Sequence, residues 1–262
     1  MVDMSDATTQ PVGNDRSRSP WAVGLAAALV VALVVDVVAL LGHLPWLRVV
    51  AKPLLMPVLA GWVLVVATRP VARPVRRLLV GLGLAWLGDV ALLCDADVAF
   101  LVGLLCFLGM QVAYLAAFRA VPGRGLVQLR PALALPYLVV WVAMNGWLHP
   151  GVDTLFVPVL VYSAVLLAMA VRALDVSAGL PRPFGAWVAV GGALFVVSDG
   201  LLAAAAFDAV AGGAGWDSAV MTTYVAAQAL IAAGLTLGCG GGSGRAGPLA
   251  AATVRRRPRR PT

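Results

Sequence analysis

The chain has 262 residues, of which 61% are hydrophobic and only 12% are charged, and its mean hydropathy is +0.95. Because a soluble domain carries about a quarter charged residues, this composition excludes a soluble protein and leaves no room for a separate soluble domain. The formal charge of +7 does not by itself predict a nucleic-acid partner, since the positions of the basic residues give it another explanation.

In chain order, residues 1–20 are polar and predict a disordered tail, and residues 239–262 predict a flexible basic tail. Between them, residues 21–238 predict an all-α membrane bundle of about eight transmembrane helices. Each apolar segment is long enough to cross a hydrocarbon core of ~30 Å. The segments cover approximately residues 21–42, 52–68, 75–94, 98–118, 131–148, 154–173, 184–207 and 217–238.

Three of these segments begin near a proline, namely Pro53, Pro74 and Pro131, and proline is tolerated in a first helical turn. The first apolar segment is too long for a signal-peptide core and is interpreted as a spanning helix. Three cysteines without metal-binding spacing are interpreted as packing residues. They are Cys94, Cys106 and Cys239.

The basic residues favour one orientation. If the N-terminus is inside, seventeen of the 19 basic residues fall in inner segments and only Arg48 and Lys52 fall outside. The outer loops instead hold acids, which are Asp95, Asp97, Asp153, Asp208 and Asp217. This positive-inside pattern predicts eight crossings with both termini cytoplasmic, in a bacterial inner or plasma membrane. The basic tail then anchors the topology and contacts anionic lipid, and no nucleic-acid partner is expected.

Three acids fall within the predicted spans, and intramembrane acids are functional candidates by default. Asp36, Asp89 and Asp199 each lie about fifteen residues into helices of the same direction, so all three are expected at one level in the outer half of the bilayer. The alternative is structural: each acid caps a backbone group or pairs with Lys52 or Arg48.

Asp89 and Asp199 are the stronger functional candidates because small residues flank both, in Gly88-Asp89 and Ser198-Asp199-Gly200. Small neighbours allow a ligand or another helix to approach closely. Two acids that converge in a low dielectric medium can keep one protonated and the other ionised, an arrangement that suits general acid–base catalysis.

Other polar residues within the spans are candidates for substrate binding, and interhelical hydrogen bonding is an equal alternative for each. Lys52, at the expected outer start of the second span, either extends to the interface or binds a phosphate. The remaining candidates are Gln111 and Tyr114 in the fourth span, Asn145 in the fifth, and Tyr224 and Gln228 on one face of the eighth.

The sequence lacks the sets of residues that several kinds of catalysis and binding require. The histidines, His43 and His149, have no zinc-binding spacing, and no Ser-His-Asp set or nucleotide-binding glycine pattern occurs. No cofactor and no metal are therefore expected. The helices also lack the paired broken segments of many secondary transporters.

Five stretches in order, spanning roughly residues 50–235, resemble the YhhN-like lysoplasmalogenase family. They are KPLLMPVLAGWVL (52–64), LGLAWLGDVALL (82–93), FLVGLLCFLGMQVAYLAAF (100–118), GGALFVVSDGLLAAAAF (191–207) and YVAAQALI (224–231).

The resemblance implies an eight-helix membrane hydrolase that acts on lysoplasmalogens, single-chain lipids with a vinyl ether, and releases a fatty aldehyde and a glycerophospho head group. It also implies that Asp89 and Asp199 are the residues tied to activity. The family's lysine, tyrosine and YxxxQ positions match Lys52, Tyr114, Tyr224 and Gln228. Where many members have a histidine, this sequence has Gln111.

One of Asp89 and Asp199 is expected to protonate the vinyl ether, and the other to activate water and stabilise the cation. The sequence does not assign which. Lys52 would hold the phosphate. The alternatives are a proton-coupled transporter that uses the intramembrane aspartates and a lipid-binding or scaffold protein without chemistry. A lysophospholipid and membrane lipids are the expected partners, and the oligomeric state is left open.

Overall fold

A computed structural model describes residues 16–94, 96–123, 125–152, 156–207 and 209–240. Most of the two predicted tails, before residue 16 and after residue 240, lies outside the described residues. So do the loop residues Asp95, Asp153 and Asp208, and the side chains of Asp97 and His149.

The described chain is helical and has eight long helices, which confirms the predicted all-α polytopic bundle. Each predicted apolar segment falls on one of them. The helices are α1 (Pro20–Leu41), α2 (Pro45–Val66), α3 (Arg73–Ala91), α4 (Asp97–Arg119), the short α5 (Leu126–Leu129), α6 (Leu135–Val152), α7 (Phe156–Val176), α8 (Phe184–Ala206) and α9 (Ala214–Gly240).

Among the described residues, seven of the long helices are long and apolar enough to cross a membrane. The exception is α3, which begins with Arg73, Arg76 and Arg77 and carries Asp89 near its end. α3 packs along α2, α4 and α9 as a member of the same bundle. Seven spans therefore agree with the prediction, and the crossing by α3 stays a prediction.

Short connections join most consecutive helices, so neighbouring helices alternate in direction. One end of the bundle, called the site end, is where α1, α3 and α8 finish and α2, α4 and α9 begin. Asp36, Asp89 and Asp199 all lie in the last third of their helices, α1, α3 and α8, and therefore all lie towards the site end.

The core lies between α2, α3, α4, α8 and α9, where Leu55, Leu82, Met110 and Leu235 are fully or almost fully buried. The outer surface is apolar as well: Val30 on α1 is 60% exposed. An apolar outer surface is what lipid chains contact in a membrane bundle.

Glycines bring α8 and α9 into close contact. A Cβ at Gly191 would lie 2.9 Å from the carbonyl oxygen of Ala227, and one at Gly234 would lie 2.7 Å from that of Phe184. A side chain at either position would force the two helices apart. This packing holds the Asp199 segment of α8 beside the Tyr224 segment of α9.

The predicted start of the second helix is wrong. α2 begins at Pro45, not at residue 52, so Pro53 and Pro57 lie inside the helix. Pro57 has no N–H to donate to the Pro53 carbonyl, and the Trp86 indole of α3 donates to that oxygen at 3.0 Å instead. The extra turns were missed because Arg48 and Lys52 look like loop residues, although both face acids on neighbouring helices.

The other two proline predictions differ in outcome. Pro74 lies in the first turn of α3, as expected. Pro131 begins a short 3-10 turn, Pro131–Ala134, and α6 follows only at Leu135.

Candidate active site

Asp89 joins three helices at the site end. Its residue is 2% exposed, and its Oδ2 accepts a hydrogen bond of 2.9 Å from the Tyr224 hydroxyl of α9. The Lys52 ammonium of α2 lies 3.8 Å from Oδ1. One carboxylate oxygen therefore faces a cation and the other accepts from a hydroxyl.

Lys52 does not occupy the expected surface position. Because α2 starts at Pro45, Lys52 lies two turns inside the helix, and only 4% of the residue is exposed. Its ammonium is directed at Asp89 and not at the membrane surface. The pairing of an intramembrane acid with Lys52, one of the structural alternatives, is what the structure contains at Asp89.

Asp199 has a different environment, with neutral partners. The Tyr162 hydroxyl of α7 donates to Oδ2 at 2.7 Å, and the Gln111 amide of α4 donates to the same oxygen at 3.4 Å. No hydrogen bond from the described residues reaches Oδ1. The Gln111 Oε1 is buried and has no hydrogen-bond partner in the part of the chain that the structure describes.

Asp89 and Asp199 line one cavity of about 170 Å³, called the central cavity. Polar side chains form part of its wall, and apolar side chains complete it. The lining residues are Arg48, Lys52, Asp89, Leu92, Phe100, Phe107, Ser198, Asp199, Leu202, Asp217, Val220, Met221 and Tyr224.

A second, narrow space of about 50 Å³, called the apolar chamber, adjoins the central cavity. The two share Phe100, Phe107 and Asp199, among others. The rest of its wall is apolar apart from the Tyr162 side chain, which comes from α7. Asp199 therefore lies at the boundary between a polar space and an apolar one.

Asp36 does not line the central cavity. Its side chain is fully buried in α1, its Oδ1 lies 4.0 Å from the Arg48 Nε, and neither carboxylate oxygen has a hydrogen-bond partner in the described chain. The pairing alternative with Arg48 therefore describes Asp36. Its contribution to the site acts through Arg48, which does line the cavity.

Tyr114 and Gln228 lie behind the cavity, in the core. The Tyr114 hydroxyl donates to the Gln228 Oε1 at 2.5 Å, and the Gln228 amide lies 3.3 Å from the Met110 sulfur. Neither residue lines the cavity. Gln228 is one turn from Tyr224 on α9, so the pair stabilises the helix that presents Tyr224 to Asp89.

The structure places Asn145 apart from the other candidates, between α6 and α7. Its amide donates to the Trp141 carbonyl at 2.9 Å, and its oxygen accepts from the Ser163 hydroxyl at 3.2 Å. The Trp141 indole in turn donates to Ser163 at 3.0 Å. This arrangement is the interhelical hydrogen bonding that was the alternative to a substrate contact.

Sequence reasoning missed Tyr162 and, as cavity residues, Arg48 and Asp217. Tyr162 had a usable signal, since it is one of only four tyrosines and lies inside a predicted span. Arg48 also had one: together with Lys52 it breaks the otherwise regular distribution of basic residues. Within the described part of the chain, no group of three or more His, Cys, Asp or Glu side chains is arranged to hold a metal.

The fold and this cluster define a polytopic membrane protein with two carboxylates in one cavity. The YhhN family model matches residues 47–235, and the chain belongs to that family, as the sequence motifs predicted.

Two curated relatives carry the name lysoplasmalogenase, one from Mycobacterium bovis and one from Mycobacterium tuberculosis. Each is 35% identical to this chain over 142 residues, which is 53% of this chain and 49% of the relative. The chain thus spans about half the length of the curated relatives it matches. No solved structure gives a significant match.

Proposed function

We propose that this protein is a membrane hydrolase that cleaves the vinyl ether bond of lysoplasmalogens. The observation that carries the proposal is that Asp89 and Asp199 line one cavity, which adjoins an apolar chamber. Two carboxylates next to an apolar chamber suit acid–base chemistry on a single-chain lipid. The names of the two mycobacterial relatives support the same substrate class.

The environments of the two acids suggest their roles. Lys52 beside Asp89 stabilises an ionised carboxylate, whereas Asp199 has only neutral donors, both on Oδ2. In a protonated Asp199, Oδ2 is the carbonyl oxygen that accepts these hydrogen bonds, and Oδ1 carries the proton on the side of the cavity. We therefore assign Asp199 as the acid, and Asp89 as the base and stabiliser of positive charge.

The reaction then balances in three steps. Asp199 transfers its proton to the β-carbon of the vinyl ether. This leaves an oxocarbenium ion, in which the α-carbon and the ether oxygen share the positive charge. Asp89 takes a proton from water as the water oxygen bonds to the α-carbon, giving a hemiacetal. The carbon–oxygen bond to the head group then breaks: Asp89 gives its proton to the departing ether oxygen, Asp199 takes the hydroxyl proton of the hemiacetal, and a fatty aldehyde and the head-group alcohol are released.

Three neighbouring side chains act as positioning residues. Lys52 and Tyr224 hold the two oxygens of Asp89, and Tyr162 holds Oδ2 of Asp199. Lys52 is assigned this role in place of the expected phosphate contact, because its ammonium already faces Asp89. Fixed partners reduce the reorganisation that a proton transfer requires.

The test uses the purified full chain in detergent with a lysoplasmalogen, and measures aldehyde release. The matched control substrate has the same chain and head group with a saturated ether. We expect aldehyde from the vinyl ether alone and, in D₂O, one deuterium at the carbon next to the aldehyde. Release from the saturated ether, or aldehyde without deuterium, would contradict protonation of the β-carbon. Solute flux in proteoliposomes without aldehyde release would favour the transporter alternative.

We further propose that the site end faces outward, with both termini in the cytoplasm, in keeping with the distribution of arginines. Cys94, exposed just after α3, is a natural reporter of the site end, and Cys239 lies at the opposite end. A membrane-impermeant maleimide should label Cys94 in intact cells and leave the Cys94→Ser variant unlabelled. Equal labelling of that variant would contradict this orientation.

A further inference from the structure

A third space opens at the site end, on the side of the central cavity away from the apolar chamber. This vestibule, of about 420 Å³, lies between the α1–α2 connection and the start of α9. It shares two lining residues with the central cavity, Arg48 and Asp217, and neither of them lines the apolar chamber. The full lining is Ala39, Leu40, His43, Leu44, Pro45, Arg48, Gly213, Ala214 and Asp217.

The Arg48 guanidinium faces Asp36 with its Nε and leaves its two terminal nitrogens without an acceptor among the described residues. Its Nε faces the fully buried Asp36 at 4.0 Å, and the side chain remains 31% exposed. Among the described residues, no acceptor takes a hydrogen bond from its guanidinium, and only its Nε is buried without a partner. The two terminal nitrogens are thus available at the boundary of the vestibule and the central cavity. A guanidinium fork matches the oxygens of a phosphate.

Asp217 supplies the opposite charge at the same boundary. It lies in the first turn of α9, is partly exposed, and has no ion pair within 4.0 Å among the residues that the structure describes. In particular, Arg48 and Asp217 line the same two spaces without pairing with each other. The vestibule therefore presents a separated positive and negative group, each with unused bonding capacity.

We propose that the vestibule binds a zwitterionic phosphate-ester head group, with the phosphate on Arg48 and the ammonium on Asp217. The inference rests on the proposed function, because it takes the head group to belong to the lipid that is cleaved. The order of the spaces then matches the order of groups in the substrate. The head group lies in the vestibule, the reacting bond lies between Asp89 and Asp199, and the first carbons of the chain enter the apolar chamber.

Asp217 makes this site selective. A phosphate with a neutral alcohol carries a net negative charge, and its head group would meet the Asp217 carboxylate without a compensating cation. A phosphate that carries an ammonium satisfies both side chains. Specificity of this kind depends on the unfavourable contact with the wrong ligand as well as on the favourable contact with the right one.

The experiment compares two lysoplasmalogens with one chain and different head groups, phosphoethanolamine and phosphoglycerol, on the wild type and on Asp217→Asn. We expect the wild type to favour the ethanolamine lipid by about tenfold in kcat/KM, the size of one charge-assisted hydrogen bond. Asp217→Asn should remove most of this preference, and Asp217→Glu should restore it. Asp217 is partly exposed in a first turn, so these variants should fold.

Arg48 is tested by Arg48→Lys, which keeps the charge facing Asp36 and loses the fork. We expect KM to rise for both lipids with kcat little changed, since the group contacts the phosphate and not the reacting atoms. Equal kcat/KM for the two lipids in the wild type, or an unaltered preference in Asp217→Asn, would overturn the vestibule assignment while leaving the hydrolase intact. No aldehyde from either lipid would instead overturn the proposed function.

Discussion

Two carboxylates inside the bundle, Asp175 and Asp199, have opposite relations to their surroundings. Asp175 lies near the end of α7, away from the site end, and is 4% exposed. Its Oδ1 accepts from the backbone N–H groups of Val127 at 2.8 Å and Gln128 at 3.2 Å, and its Oδ2 pairs with Arg172. Both oxygens are occupied by the protein.

Among the described residues, Asp199 has hydrogen-bond partners on Oδ2 alone, and it borders both the central cavity and the apolar chamber. In Asp175 the protein uses both carboxylate oxygens, and the side chain stabilises the start of α5. A carboxylate with one open oxygen on a cavity is able to exchange a proton with a ligand. The number of carboxylate oxygens without a hydrogen-bond partner among the described residues separates these two roles.

The largest effect is expected at the open oxygen. Asp199→Asn keeps the size of the side chain and an acceptor for Tyr162 but removes the acidic proton. Turnover of a lysoplasmalogen should fall by about 10²–10⁴-fold, the usual contribution of a general acid. The measurement is aldehyde release at saturating substrate, with thermal stability in detergent as the control. Turnover within a few fold of the wild type would contradict the distinction between Asp199 and Asp175.

Asp89→Asn is expected to have two effects, on turnover and on stability. Turnover should fall by about 10²-fold or more through loss of the base. The variant also leaves Lys52 buried without its partner, which costs about 3–5 kcal/mol of stability.

The double variant Asp89→Asn with Lys52→Met separates these effects. It should regain thermal stability while its turnover stays low. Recovery of turnover together with stability would show that Asp89 acts only by pairing with Lys52.

Tyr162→Phe should have an intermediate effect. It removes the 2.7 Å hydrogen bond to Asp199 and leaves the ring in place. A hydrogen bond contributes about 0.5–1.5 kcal/mol, so kcat should fall by up to about tenfold with little change in KM. Tyr137→Phe, a tyrosine outside the cavity lining, is the matched control. An equal loss in both variants would argue against a positioning role for Tyr162.

The smallest effect on turnover is expected at Asp175. Asp175→Ala removes the acceptor for two N–H groups at the start of α5, and the loss of such a cap costs about 0.5–2 kcal/mol. Thermal stability should fall and turnover of the folded protein should not. A hundredfold loss of turnover in folded Asp175→Ala would end the distinction between the two acids.

Much of the helical bundle could be predicted from the sequence, because the length of the apolar segments specifies the spans. The orientation that the arginines favour stays a prediction. The eight segments fall on the eight long helices, and Asp89 and Asp199 do line one cavity. The start of α2 was missed for a physical reason. Arg48 and Lys52 are costly inside a membrane unless acids on other helices face them, and a single sequence does not display those partners.

The details of the site were harder to predict for the same reason. Tyr162 of α7 and Asn145 of α6 are both polar residues within apolar spans. Tyr162 donates to Asp199 at the cavity, whereas Asn145 bonds to Trp141. The roles proposed for Asp89 and Asp199 depend on one cation, Lys52, that approaches Asp89 from α2. Contacts across helices decide these questions, and the spacing of residues along one helix does not specify them.

The most direct test of the central claim measures aldehyde release by the wild type, Asp199→Asn and Asp175→Asn, purified in one detergent. Each variant replaces a carboxylate by an amide of the same shape. Efficient release by the wild type and Asp175→Asn, with almost none by Asp199→Asn, is the predicted result. Comparable release by all three proteins would contradict the assignment of Asp199 as the acid.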